Sequence, residues 1–138
     1  MEALVSFDVS SFNWIAIVFA GVAAWIVGAI WFSPPVFGKR WMAALNITQT
    51  GNPAPAFVGA LVIAIIGAIV LRWVLGIANA TNAVEGIEVA LLIWFAFIML
   101  TSLPSILFAK GSRAVFAIVQ GQHVVAMIVM AIILTTVR

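Results

Sequence analysis

The sequence predicts an all-α membrane protein: four transmembrane helices in two antiparallel hairpins, with a short interfacial helix after the first span. Charge is the first observation behind this. Of 138 residues only ten are charged, and they sit almost entirely outside four long apolar runs. Composition is the second, since 66% of the chain is hydrophobic, against about 45–50% in soluble domains. A soluble fold of this size leaves too much surface exposed to hide that apolar content. The third is run length, because a helix needs about 20 apolar residues to cross the hydrocarbon core.

Each run meets that length. The expected spans are residues 13–33, 56–78, 86–109 and 114–137 of one integral membrane domain covering 1–138. Arg72 interrupts the second, and Glu88 lies at the edge of the third. No alternating segments of outer-membrane strand type occur. Zero cysteines exclude disulfides, thiolate metal sites and cysteine catalysis. The N-terminal Met1–Phe12 holds Glu2 and Asp8 but no base, the wrong sign for a signal peptide, so the first span is expected to stay.

Span one is expected to be capped by Ser10 or Ser11 and stopped by Pro34 and Pro35. In Val36 to Leu45, the spacing of Phe37, Trp41 and Leu45 puts one apolar stripe opposite Lys39 and Arg40. That pattern suits a helix lying among headgroups. Pro104 should kink span three, with nearby hydroxyls taking up freed carbonyls. A tight Lys110–Arg113 connection makes spans three and four a hairpin.

Lysine and arginine favour cytoplasmic loops. Lys39 and Arg40 in the first connection, and Lys110 and Arg113 in the third, therefore place loops 34–55 and 110–113 inside and both termini outside. Spread over separate loops and ends, the six basic residues form no patch for nucleic acid. Trp25, Ser33, Pro34, Phe37 and Lys39 recur loosely as Trp94, Ser102, Pro104, Phe108 and Lys110. If this echo is a duplication, two hairpins are related by an axis along the membrane normal.

Three groups of residues are candidates for a role. Ala16, Ala20, Ala24 and Gly28 line one face of span one, and Ala60, Ala64 and Ala68 one face of span two. Small residues let membrane helices approach closely, so these faces either pack on each other or meet a partner. Thr101, Ser102, Gln120, Gln122 and His123 are expected at one level of spans three and four. Buried polar groups there either bond one another or line a solute or proton path. A lone histidine without a carboxylate or cysteine nearby is a poor metal site, so no metal or other cofactor is expected. Arg72 has a stem long enough to reach the outer interface and pair with Glu85 or Glu88. Trp14, Trp31, Trp41 and Trp73 stand at belt positions.

The motif residues resemble a known family. Asn13-Trp14, then Trp31-Phe32-Ser33-Pro34, Phe37-Gly38-Lys39, Trp41-Met42 and Trp94 are similar to the DUF1761 family of small bacterial and fungal membrane proteins. The chain departs from that pattern around Pro104 and at Gln120-Gly121-Gln122-His123, where relatives carry asparagine and an aromatic. The resemblance implies four transmembrane helices and supplies no activity, ligand or catalytic residue.

The resulting expectation is a non-enzymatic accessory or self-assembling subunit of a bacterial inner-membrane complex. Its partners would be the bilayer and either copies of itself or other membrane subunits. A small transporter or channel using the polar layer is the alternative, and a haem-binding subunit a third reading.

Overall fold

A computed structural model describes residues 9–48 and 50–137. Among them every regular element is helical, and four helical stretches are long and apolar enough to cross a membrane. Span one is α1, Trp14–Trp31. A π-helical turn, Pro34–Gly38, leads into the short α2, Lys39–Leu45. Span two is α3, Ala54–Ile77. Span three consists of α4, Ala83–Ile93, a π-helical stretch Trp94–Met99, and α5, Leu100–Leu107. Span four is α6, Arg113–Thr136.

Caps explain most of the boundaries. Asn13 begins α1, its Oδ1 accepting from the Ala16 amide at 3.2 Å. This corrects the expectation for Ser10 or Ser11; the Asn13 amide oxygen stands three residues before the amide it serves, the usual capping distance. Asn82 and Ser112 cap α4 and α6 in the same way. After α1 the chain turns rather than simply stopping. The Gly38 amide donates to the Ser33 carbonyl at 3.0 Å. Only glycine fits at 38, since a Cβ there would run into the Phe32 carbonyl. Phe37 then stacks near Trp31 and Trp41 near Phe32, with ring centroids 4.8 and 5.0 Å apart. These contacts fold α2 back so that it packs on α6.

Span four is the hub. It packs along both α1 and α4, and α1 also packs along α3, while α3 and α4 scarcely meet. The order across the bundle is therefore span three, span four, span one, span two. Both hairpins are present, but the sequence echo does not extend to their packing. A two-fold axis would make the contact of spans two and three equal that of spans one and four.

Close approach occurs at glycines. A Cβ on Gly21 would sit 2.8 Å from the Ile65 Cα, one on Gly86 2.7 Å from the Thr135 methyl, and one on Gly121 2.8 Å from the Trp31 ring. Without much hydrophobic drive between helices in lipid, such backbone proximity supplies the attraction as dispersion contact. The core is accordingly built from small residues around Ile17, Leu71, Leu75, Met130 and Leu134. Outside it the bundle is apolar: Ile15, Ile63, Leu92 and Phe97 are more than two-thirds exposed. In water this surface would aggregate; in a bilayer it meets acyl chains.

Candidate functional site

The polar groups inside the membrane come mostly from α6. Gln120 is buried, with only 7% of its surface exposed. Its Oε1 has no hydrogen-bond partner among the described residues, and neither does the buried Nε1 of Trp94 at the start of the π-helical stretch. A buried polar atom without a partner costs about 1–3 kcal/mol, so Gln120 on α6 and Trp94 in the π-helical stretch mark where this bundle departs from simple packing. Such stretches are frequent at functional sites.

The other members of the expected layer separate. Gln122 faces span one, because a Cβ on Gly28 would stand 3.4 Å from its Nε2. His123 is half-buried and makes no hydrogen bond among the described residues. Thr101 and Ser102 turn their hydroxyls onto their own helix. Thr101 donates to the Phe97 and Ile98 carbonyls at 2.6 and 3.2 Å, and Ser102 to the Ile98 carbonyl at 2.6 Å. Those carbonyls lie in the π-helical stretch, one turn before the gap that Pro104 opens, so the hydroxyls support the distortion and do not bond to the glutamines.

The alanine faces are placed unevenly. Ala16, Ala20, Ala24 and Ala68 are buried, Gly28 and Ala64 half-buried, and Ala60 exposed. Near Ala60, α1 and α3 meet through a large side chain instead. The Trp25 Nε1 donates to the Phe57 carbonyl at 3.0 Å and the two rings meet edge to face, which keeps the small face open.

Arg72 and the glutamates do not come together. The Arg72 guanidinium carbon lies 5.8 Å from the centre of the Phe12 ring, a cation–π distance. The Glu85 carboxylate is taken by Thr81, accepting from its amide at 2.6 Å and its hydroxyl at 3.1 Å. Glu88 is exposed and has no ion pair among the described residues.

Trp31 is the residue whose role sequence reasoning missed. Read as a belt tryptophan, it instead donates from Nε1 to the Ile118 carbonyl at 2.8 Å while its ring fills the notch at Gly121. The Trp31-Phe32-Ser33-Pro34 motif thus begins with an anchor that ties span one to span four. The signal was the pairing of that motif with Gly121, which sequence distance conceals. Trp31→Phe removes the donor and the part of the indole that fills the notch at Gly121. It should cost at least about 1 kcal/mol, the interhelical hydrogen bond plus the void left by the smaller ring, read by denaturant titration in mild detergent. An unchanged midpoint would deny the anchor.

Among the described residues no three His, Asp, Glu or Cys side chains come together. A shallow groove lined by Trp14, Ile15, Val18, Phe19 and Val22 lies along the apolar side of α1, suited to an acyl chain and not to polar chemistry.

The motif residues that anchor α1, turn the chain into α2 and start the π-helical stretch all lie within one family match. The model for Protein of unknown function (DUF1761) matches residues 15–135. The chain belongs to the DUF1761 family. Searches of curated proteins and of solved structures find no match. In this DUF1761 protein the match runs from the second residue of α1 to the last but one of α6, and includes Trp31, Gly121 and Gln120.

Proposed function

We propose that this DUF1761 protein is a non-enzymatic subunit of a bacterial inner-membrane assembly, associating through the open side of α3. One observation carries the reading. Gly59 and Gly67 are exposed about two turns apart on α3, beside the stripe of Ala64, Ala68, Leu71 and Leu75 that packs in the core. Cβ atoms at Gly59 and Gly67 would meet nothing within 4 Å. Glycine weakens a helix by up to about 1 kcal/mol relative to alanine. Facing acyl chains it gives nothing back, whereas against a second helix it permits backbone contact. Lys39, Arg40, Lys110 and Arg113 at one end support an arrangement with that end in the cytoplasm and both termini outside.

The absence of cysteine makes the test clean. Gly59→Cys and Gly67→Cys should form cross-linked species on oxidation in native membranes, while Ile15→Cys on α1 should not. A product of twice the chain mass supports self-assembly, and a larger mixed product supports an accessory role. Monomer alone at both α3 positions would reject the interface.

Transport remains the second reading, favoured by the unpartnered Gln120 Oε1 and Trp94 Nε1. Solute flux into liposomes that is unchanged in Gln120→Ala and His123→Ala variants would remove it.

A further inference from the structure

Along the chain, Lys39, Arg40, Lys110 and Arg113 belong to two separate connections. The fold gathers them at one end of the bundle. The turn at Ser33–Gly38 brings α2, which begins with Lys39 and Arg40, back onto α6, which begins with Arg113. All four side chains are exposed, and none has an ion pair among the described residues. The described carboxylates, Glu85 and Glu88, stand at the start of α4, at the opposite end.

Two further features surround this charge. The first amides of α6 point to the same end and carry the positive side of the helix dipole. Exposed apolar side chains flank the cations in the chain: Val36 and Leu45 beside Lys39 and Arg40, Leu107 and Phe108 beside Lys110. Phe108 is 86% exposed. A free phosphate would use the charge and leave that apolar margin idle. A phospholipid uses both, its phosphate on the cations and its acyl chains along the apolar side chains.

We propose that the basic end, formed by α2 and the Lys110–Arg113 turn, is a binding site for the headgroup of an anionic phospholipid. The site holds a lipid in place against the α2–α6 packing instead of merely being attracted to a charged leaflet. Juxtamembrane lysine and arginine act on anionic headgroups through charge at short range, so the site weakens with salt.

The test is native mass spectrometry of the full chain released from nanodiscs containing equal phosphatidylglycerol and phosphatidylcholine. The wild-type protein should retain phosphatidylglycerol in excess. That excess should fall about fivefold per cation removed, in both the Lys39→Gln/Arg40→Gln and the Lys110→Gln/Arg113→Gln variants. Arg72→Gln, on span two, should retain the wild-type excess. Circular dichroism of the pair variants should match wild type, because the substituted side chains are exposed. Raising salt on the wild-type protein supplies a readout independent of folding in any variant, and should lower the excess. Equal retention of both lipids by the wild type, an undiminished excess in both pair variants, an equal loss in Arg72→Gln, or displacement by inorganic phosphate at constant ionic strength would overturn the proposal.

Discussion

Gly21→Val should separate span one from span two and destabilise the bundle by about 3 kcal/mol, at the upper end of overpacking costs. At the buried Gly21 α1 lies close against α3, and an added Cβ would lie 2.8 Å from the Ile65 Cα and 3.1 Å from its amide nitrogen. Those are backbone atoms, so no rotamer change relieves the contact and the helices must part. Parting by even half an ångström forfeits a quarter or more of each dispersion contact along the seam. In lipid there is little else to hold two apolar helices together. Gly76→Val on the same α3 is the control, since a Cβ there meets nothing within 4 Å; it should change stability by no more than about 0.5 kcal/mol. Unfolding in mild detergent, followed by the loss of helical signal, measures both. Equal midpoints for the two variants would show that the Gly21 seam does not hold the hairpin.

Gln120→Leu should act in the opposite direction and stabilise the protein by about 1–3 kcal/mol, the cost of a buried unsatisfied acceptor. Leucine has similar bulk and no polar atom, so the site next to the core is filled without the orphan Oε1. Destabilisation by the same margin would mean that Oε1 has a partner, such as an ordered water. If the transport reading is right, Gln120→Leu gains stability and loses flux. Such a trade is expected where a polar group is kept for function.

These two residues show what a linear reading makes visible and what it hides. Gln120 stood out at once, because an amide inside an apolar run is rare and costly. Its unpartnered state was not legible, since Thr101 and Ser102 offered two hydroxyls at about the right depth. Only in the folded bundle are those hydroxyls committed to Phe97 and Ile98. Gly21 did not stand out at all. In an alanine- and glycine-rich chain every span presents several small faces, and nothing local says which one meets a neighbour. The Ala16–Ala24 face is buried, yet Ala60 on the α3 face is not, because Trp25 and Phe57 take up the space there. Likewise Trp31 carried a local sign, its place near a helix end, that suggested headgroups. Its hydrogen bond to Ile118 crosses 87 residues and has no local sign.

By itself the sequence determined that four helices are long and apolar enough to cross a bilayer, that a short basic helix follows the first, and that prolines end span one. Hydropathy over about 20 residues is a local property, and the bilayer supplies the length scale. Tertiary structure alone decided that span four is the hub, that Gly21, Gly86 and Gly121 are close approaches, and that α2 packs back on α6 at the basic end. Those outcomes depend on which helix faces meet, and in lipid that choice is made by shape complementarity between whole surfaces.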